Sequence, residues 1–357
     1  MSGAPLRVVQ WTTGNVGRQA GIAIAKHPRL KLIGAYAHSA AKAGQDAGSL
    51  LGRQPIGAPT TNDIAQVIAW QPDCVMYTPL YFDVDQVVAL LSAGINVVTT
   101  SEFVNGRSLA DDGRQRIEQA AAEGGATIFG SGANPGFAQL LAATCTQVCS
   151  EFTSLRVSES VDVSAYAGDA NMNQIGWGRP AGDPDHPADL AQATRVFADG
   201  VEMIGDLFGV TFDDIRPQIA FSHATRDLDL PGRPMETGSV AGIDLRWQGL
   251  IGDRVAVEIR QVWAMGADLD PPLKPEHGYV VEVDGTPRIR TKLEVYPPRN
   301  GPAIKDMAYY QSLGMIITAM PAVNAIEQVC AAPPGVATYA TLRPMTGRLV
   351  DDRVTAQ

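Results

Sequence analysis

Residues 7–19 read RVVQWTTGNVGRQ, a short apolar run followed by a glycine-bearing turn and a segment that can begin a helix. Thr12, Gly14 and Gly17 stand in the G-x-G-x-x-G register. In that turn the second glycine lets the backbone approach a pyrophosphate, and the third lets the helix pack closely against the strand. Thr12 replaces the first glycine, but it can still turn the chain and donate its hydroxyl to phosphate. The strand-turn-helix context favours a dinucleotide site over a plain turn.

The segments that follow alternate between strand and helix patterns. LKLIGAYAHS, DCVMYTP, INVVTTS and ATIFGSG are apolar runs typical of buried strands, and helical patterns such as DVDQVVALLSAG lie between them. Apolar strands joined by short turns in this order predict an α/β fold, with helices on both faces of a doubly wound parallel sheet. We therefore predict a Rossmann-type dinucleotide-binding domain over residues 1–135.

The pattern changes after the segment NPGFAQLLAATCTQVCS. Long alternating segments such as LRVSESVDVSAYAG, RVAVEIRQVWAMG and PRIRTKLEVYP predict a mostly antiparallel sheet with one exposed face. The stretch DLAQATRVFADGVEMIGDLFG interrupts them as one helical pattern. We predict an α+β domain for substrate binding and dimerisation over residues 136–304. A C-terminal helix and tail over residues 305–357 are expected to pack back on the first domain.

Composition excludes several classes of function. The chain has 357 residues, of which 45% are hydrophobic and 18% charged, and its formal net charge is −10 at pH 7. An acidic chain without a basic run is a poor partner for nucleic acid or an anionic membrane. The start MSGAPLRVV lacks the apolar core of a signal peptide, and no apolar stretch reaches the roughly 20 residues that span a bilayer. These features predict a cytoplasmic protein.

Cysteines and histidines give no metal-binding pattern. The four cysteines have no C-x-x-C spacing, and the five histidines are scattered. Only the segment DPDH, Asp183 to His186, places a histidine near carboxylates. A solvated loop is favoured there, because no second histidine or cysteine is close in sequence. We predict no metal site.

The end of the second predicted strand bears on the choice of cofactor. An NAD-specific site usually carries an acid there, which accepts from the ribose 2′-hydroxyl and repels a 2′-phosphate. Here AHSAAKAG offers His38, Ser39 and Lys42, and no acid precedes Asp46. A hydroxyl, an imidazole and an ammonium suit the 2′-phosphate of NADP. NADP is therefore favoured, and NAD is also acceptable at a neutral site.

The motifs TTGNVGRQ, AHSAAKAGQDAG, VVTTSEFVNG and GSGANPGF, in this order, resemble those of the dihydrodipicolinate-reductase-like dehydrogenases. The likeness is greatest to the branch containing 2,4-diaminopentanoate dehydrogenase and the native amine dehydrogenases. It extends through EHGYVVEVDGTPRI and PGVATYATLRPMTGR, and so covers most of the chain. The chain lacks the E-L-H-H and P-S-G-T motifs of true dihydrodipicolinate reductases. That departure argues against a role in lysine biosynthesis.

The resemblance implies a catalytic role for one acid. In the amine dehydrogenases a glutamate that follows a strand near the nicotinamide holds the substrate nitrogen, and Glu102 in VVTTSEFV stands at the matching position. The carboxyl edge of a parallel sheet is also where such folds bind ligands, and an acid in an apolar cleft has a raised pKa. The alternative is a glutamate at a helix start or on the surface, beside Asn105 and Gly106.

Further residues are candidates for contact with cofactor or substrate. Asn134 is a natural N-cap, with Pro135 well placed at a helix start, and Asn134 could equally contact the nicotinamide carboxamide. The predicted cofactor contacts are Thr12, Thr13, Gly14, Asn15, Val16, Gly17, His38, Ser39, Lys42, Thr78, Pro79 and Asn134. The predicted substrate pocket comprises Phe137, Tyr166, Met172 and Trp177, for which core or dimer packing is an equal alternative.

These observations predict an NAD(P)-dependent oxidoreductase that acts on C–N bonds. It would aminate small ketones or aldehydes reductively with ammonia and oxidise the matching amines. One alternative is a reductase of a carbonyl or C=C substrate on the same scaffold, and another is a nucleotide-binding protein without catalysis. Long exposed strands in the second domain predict a homodimer.

Overall fold

The computed structural model of the protein describes residues 4–170, 172–299 and 307–349. Its first part contains β1 (Leu6–Trp11), α1 (Asn15–Ala25), β2 (Leu30–Tyr36), α2 (Ala47–Leu50), β3 (Thr60–Thr61), α3 (Ile64–Ala69), β4 (Cys74–Tyr77), α4 (Val84–Ser92), β5 (Asn96–Thr99), α5 (Gly113–Gly124) and β6 (Thr127–Gly130). There follow α6 (Phe137–Cys145), β7 (Glu151–Asp162), α7 (Met172–Ile175), α8 (His186–Ala193), α9 (Val196–Phe208), β8 (Asp214–Ala224), β9 (Val240–Ile251), β10 (Arg254–Ala264), β11 (Leu269–Asp270), β12 (Gly278–Thr286) and β13 (Ile289–Leu293). The last elements are α10 (Met307–Val329) and β14 (Gly335–Ala337).

The described residues fall into two compact units. Unit one comprises those within Met1–Phe103, Leu109–Ala133 and Met315–Gln357, and unit two comprises those within Val104–Ser108 and Asn134–Gly314. The division of the chain into three domains at 1–135, 136–304 and 305–357 stays a prediction. Residues 305, 306 and 350–357 of the third lie outside the described residues.

Unit one is built on a fully parallel sheet. Its strands lie in the order β14-β6-β5-β4-β1-β2-β3, and every neighbouring pair is parallel. Aromatic rings fill the core beside the central strands, where Trp11 stacks on Tyr36 at a centroid distance of 3.9 Å and Tyr77 packs against Trp11 at 5.4 Å. The predicted α/β fold with a doubly wound sheet is confirmed. The carboxyl ends of β1, β4 and β5 therefore meet at one edge of this sheet.

Unit two is built on a mixed sheet. Its strands lie in the order β11-β8-β9-β10-β7-β12-β13, and only the pair β10 and β7 is parallel. The mostly antiparallel second sheet is confirmed. The helical stretch predicted over residues 189–209 forms two helices, α8 and α9. Between them the Thr194 hydroxyl donates to the Leu190 carbonyl at 2.6 Å and accepts from Trp247 Nε1 at 3.2 Å.

Within the described ranges, no helix is both long and apolar enough to cross a lipid bilayer. The cytoplasmic location stays a prediction.

Candidate active site

The turn after β1 brings the first fingerprint position into an unusual backbone conformation. Thr12 has φ of 72°, in the left-handed region that favours glycine. Its hydroxyl donates to the Thr78 carbonyl at 2.8 Å and lies 3.3 Å from the Thr78 hydroxyl. Gln10 Nε2 donates to that same Thr78 hydroxyl at 2.9 Å. These bonds hold the ends of β1 and β4 together and explain how a threonine occupies a position where glycine is usual.

The other two glycine positions differ in the space around them. A Cβ added to Gly17 would lie 2.5 Å from the Thr12 carbonyl oxygen and 2.7 Å from the Thr78 hydroxyl. A Cβ added to Gly14 would meet no atom within 4 Å. Gly17 is therefore required by packing inside the protein, whereas Gly14 keeps open the approach to its backbone. This is the division of roles that the fingerprint predicts.

The N-terminus of α1 meets no anionic side chain among the residues that the structure describes. Gly14 is its N-cap, no described side chain accepts from its first N–H groups, and its first turn contains no acid. The leading N–H groups of a helix lack helical acceptors and attract anions. The groups available at this end belong to Asn15, Val16 and Gly17.

The loop after β2 joins the fingerprint turn. Lys42 Nζ donates to the Thr13 hydroxyl at 3.0 Å, and the exposed His38 ring meets Tyr36 edge-on at 5.2 Å. Ser39 is exposed just before a short 3₁₀ turn. The carboxylate of Asp46 accepts from three backbone N–H groups, including those of Gly57 at 2.8 Å and Ile56 at 3.1 Å. The Asp46 carboxylate therefore stabilises its own loop through these hydrogen bonds.

Glu102 lies in the loop that follows β5, well before α5 begins, so the helix-start alternative is wrong. Its side chain is exposed to solvent, as the surface alternative predicts, yet the surrounding protein desolvates the carboxylate and raises its pKa. The Phe82 backbone N–H donates to this carboxylate and partly offsets the shift. Glu102 therefore combines access to solvent with an elevated affinity for a proton.

The residues around Glu102 fix the path of its loop. The Phe103 ring stacks on Phe82 at 5.2 Å with an interplanar angle of 14°. A Cβ added to Gly130 would lie 2.0 Å from the Phe103 carbonyl oxygen, so β6 must end in glycine for this loop to pass. Ser101 Oγ donates to the Pro79 carbonyl at 2.6 Å and ties this loop to the end of β4. Phe82, Phe103, Ser101 and Gly130 carry no sequence signal for this role, because each acts only through contacts distant in sequence.

The sequence-predicted residues of unit one gather at the carboxyl edge of its sheet. They lie in the segments that follow the ends of four strands, β1, β2, β4 and β5, and include the first residues of α1. These residues are Thr12, Thr13, Gly14, Asn15, Val16, Gly17, His38, Ser39, Lys42, Thr78, Pro79 and Glu102. The remaining candidates, Asn134, Phe137, Tyr166, Met172 and Trp177, belong to unit two.

Asn134 does not cap α6, contrary to the expectation from sequence. Helix α6 begins at Phe137 with Gly136 as its N-cap, and Pro135 precedes the first turn. Gln139 Oε1 accepts from the Gly136 N–H at 2.6 Å and so satisfies the backbone N–H of the N-cap residue. Gln139 Nε2 donates to Asn134 Oδ1 at 2.7 Å, so this oxygen accepts from a side chain and not from a backbone N–H of the helix.

The predicted pocket residues of unit two have different environments. Phe137 is 38% exposed, whereas Trp177 is only 4% exposed, which agrees with the core-packing alternative for Trp177. Trp177 Nε1 finds no acceptor in the described chain. Met172 begins the short helix α7, and Tyr166 ends a 3₁₀ turn after β7. Their contact with substrate stays a prediction.

No group of three or more potential metal ligands occurs among the residues that the structure describes. The expectation of a solvated loop at DPDH is wrong, because His186 is 2% exposed at the start of α8. Its Nε2 lies 2.9 Å from the Ile175 carbonyl, and its ring stacks on Phe221 at 4.3 Å. Burial lowers the pKa of His186.

The chain is similar to known oxidoreductases, although no family model matches it. It is 29% identical over 367 residues to an amine dehydrogenase of Streptomyces virginiae, with 96% of this chain and 98% of that one covered. A 4-hydroxy-tetrahydrodipicolinate reductase of Synechococcus elongatus is 29% identical over 118 residues, which cover 29% of this chain and 40% of that protein.

Solved structures share the fold over nearly the whole chain. An amine dehydrogenase from Mycobacterium smegmatis superposes with a TM-score of 0.78 at 20% identity, covering 96% of this chain and 97% of that one. A scyllo-inositol dehydrogenase from Lactobacillus casei gives a TM-score of 0.56 at 14% identity, covering 96% and 93%. The chain therefore has the fold of Rossmann-type oxidoreductases.

Proposed function

We propose that this chain, a homologue of an amine dehydrogenase over nearly its whole length, is an NAD(P)-dependent oxidoreductase that acts on C–N bonds. It interconverts small amines with the matching ketones or aldehydes, and it uses ammonia in the reductive direction. The observation that carries this proposal is Glu102, an acid of raised pKa in the loop after β5, on the sheet edge that bears the phosphate-binding turn.

The residues of unit one suit a dinucleotide. The uncapped start of α1 offers N–H groups to a pyrophosphate, and Gly14 leaves its approach open. We propose that the N–H groups of Asn15, Val16 and Gly17, with the Thr13 hydroxyl, hold the phosphates, and that Thr78 and Pro79 contact the nicotinamide side. When bound, this cofactor supplies the hydride acceptor or donor.

The region after β2 supports a preference for NADP. Lys42 is the basic group, with His38 and Ser39 as further donors, while Asp46 is engaged by backbone N–H groups. An ammonium and a hydroxyl attract the 2′-phosphate, and no free acid repels it. We propose NADP as the preferred cofactor, with NAD also accepted.

Glu102 has a defined task in amine oxidation. A protonated amine cannot release hydride from its carbon, because the nitrogen lone pair that drives the step is engaged by a proton. The Glu102 carboxylate takes that proton, and its raised pKa brings its affinity for the proton closer to that of the amine. Hydride then leaves the carbon, the C=N bond of an iminium forms, and water converts the iminium to a carbonyl and ammonia.

In the reductive direction Glu102 does the reverse. As a carboxylate it takes a proton from the ammonium ion, which frees ammonia to add to the substrate carbonyl, and as an acid it then gives that proton to the hydroxyl that leaves the carbinolamine as water. The resulting iminium is a cation, which the carboxylate stabilises electrostatically. Both directions therefore require one group that alternates between acid and base. Asn134 as a nicotinamide contact and assembly as a homodimer belong to the same proposal.

The test is NADPH and NADH oxidation with a panel of small ketones and aldehydes, with and without ammonium, for wild type, Glu102→Gln and Glu102→Ala. Glu118→Gln on α5, an exposed acid in the same unit, is the matched control. We expect turnover only with ammonium, its loss in both Glu102 variants, and its retention in the control. Ammonium-independent reduction would instead indicate a carbonyl or C=C reductase. Cofactor binding without any turnover would indicate a nucleotide-binding protein.

A further inference from the structure

Two of the four cysteines lie together at the amino edge of the parallel sheet in unit one. Cys74 is the first residue of β4, and Cys330 directly follows the last residue of α10. A hydrogen bond joins the two thiol groups, and Cys330 Sγ also donates to the Asp73 carbonyl at 3.7 Å. The carboxyl edge, which bears the proposed cofactor turn and Glu102, is the opposite end of the same sheet. The proposed function therefore makes no use of this thiol pair.

Hydrogen bonds on both sides of Cys330 fix its position. Its backbone N–H donates to the Ile326 carbonyl at 3.0 Å, which continues the last turn of α10. Further along the chain, the Pro333 carbonyl accepts from Thr127 Oγ1 at 2.9 Å at the start of β6, and β14 then pairs in parallel with β6. Cys74 itself belongs to the central strand β4, whose neighbours are β1 and β5. The fold therefore holds the two sulfur atoms side by side, although the two residues are far apart in sequence.

The two thiols differ in their access to solvent. Cys74 is 0% exposed, and burial raises the pKa of its thiol well above the ordinary value. Cys330 is only partly buried. The thiolate is the form that attacks an oxidant, and a buried thiol that keeps its proton does so poorly. A small oxidant from solvent therefore meets Cys330 first, with Cys74 directly beside it.

We propose that Cys330 is a site of oxidation by peroxide and that Cys74 converts the oxidised thiol into a disulfide within the chain. The Cys330 sulfur attacks hydrogen peroxide, an S–O bond forms as the O–O bond breaks, and the products are a sulfenic acid and one water. The Cys74 sulfur then attacks the oxidised sulfur. An S–S bond forms, the S–O bond breaks, and the hydroxide leaves as water with the proton of the Cys74 thiol. Overall, two thiols are oxidised to one disulfide and one peroxide is reduced to two waters.

The disulfide links the end of α10 to the centre of the sheet. It closes a loop that contains most of the chain, and the end of α10 then cannot separate from β4 unless a covalent bond is broken. A thiol reductant restores the two thiols, so the link is reversible. This inference goes beyond the proposed function, because the pair lies at the opposite edge of the sheet from the cofactor turn and its oxidation needs neither cofactor nor amine.

The experiment uses the full chain, first reduced and freed of reductant, and treats it with equimolar hydrogen peroxide. Remaining thiols are blocked with iodoacetamide, linked peptides are identified by mass spectrometry without reduction, and a nonreducing gel separates links within a chain from links between chains. Cys330→Ser and Cys74→Ala each remove one partner, and parallel samples contain dimedone, which traps a sulfenic acid. Cys145→Ser and Cys149→Ser, which remove thiols of unit two, are the matched controls.

We expect wild type and both controls to give one main linked product. It joins the peptides of Cys74 and Cys330, is lighter than their sum by two hydrogen atoms, and is lost on reduction. Cys330→Ser should form no link and leave Cys74 reduced, and in Cys74→Ala dimedone should label Cys330. Cys330→Ser changes one atom at a partly buried position, so it decides alone if Cys74→Ala fails to fold.

Four results would overturn the proposal: no link in wild type, a main link between two chains, oxidation of Cys74 in Cys330→Ser, or a main link between Cys145 and Cys149. Because the assay needs neither cofactor nor turnover, its failure is separate from any failure of the proposed function.

Discussion

Gly14 and Gly17 of the proposed phosphate-binding turn are expected to respond differently when a methyl group is added. In Gly17→Ala the new Cβ would lie 2.5 Å from a backbone carbonyl oxygen, that of Thr12, which cannot move without shifting the turn. Overpacking of this kind costs about 1–3 kcal/mol. At roughly 2–4 °C per kcal/mol for a domain of this size, Tm should fall by about 2–12 °C.

Gly14→Ala is the matched control, because its φ of −72° is open to any residue and its Cβ would meet no atom within 4 Å. Its free energy of unfolding should stay within about 0.5 kcal/mol of wild type. Its cofactor Kd should rise about tenfold, equivalent to about 1.4 kcal/mol, because the methyl group occupies the approach to the pyrophosphate. Thermal unfolding without cofactor and titration with NADPH separate the two effects. An unaltered Tm in Gly17→Ala, or an equal loss of Tm in both variants, would refute the reasoning.

Three further predictions follow from the same geometry. Lys42→Ala should raise the Kd for NADPH about 10- to 100-fold, the effect of losing one charge-assisted bond, and should change the Kd for NADH little. The control Lys31→Ala, at an exposed lysine, should change neither Kd. Equal losses of affinity for both cofactors would show that Lys42 does not bind the 2′-phosphate. In amine oxidation kcat/KM should rise with pH as Glu102 loses its proton, and the midpoint of this rise should lie above the ordinary glutamate pKa of about 4.3, because the pKa of Glu102 is raised. If Glu102→Gln shows the same rise, another group is responsible for it. Asp199→Ala should lower the free energy of unfolding, measured by urea titration, by about 1–3 kcal/mol. The reason is that Asp199 accepts from two backbone N–H groups of the segment 104–108 at 2.7 and 3.1 Å. An unchanged urea midpoint would show that these two hydrogen bonds do not stabilise the fold.

The features that sequence predicts well are those with local causes. The turn at Thr12, Gly14 and Gly17 follows from spacing alone, and apolar runs between short turns identify the parallel strands. Helix starts that have an acid as the N-cap can also be recognised from sequence. The Asp63 and Asp83 carboxylates, for example, accept from N–H groups at the starts of α3 and α4.

The features that sequence misses depend on contacts between distant residues. The sequence offers Asn134 as an N-cap or a cofactor contact, and it does not show that the Asn134 amide donates to Glu159 on another element. DPDH reads as a solvated loop, although stacking on Phe221 buries His186. Nothing in the sequence marks Cys74 and Cys330 as neighbours, because their contact depends on where the fold places the end of α10.

The most direct test of the central claim follows nitrogen itself. Wild type and Glu102→Gln would be incubated with NADPH, a small ketone and ammonium enriched in the heavy nitrogen isotope, and the organic product would be analysed by mass spectrometry. We expect an amine that carries the heavy nitrogen, formed by wild type and absent with Glu102→Gln. An alcohol as the product, or labelled amine formed equally by the variant, would contradict it.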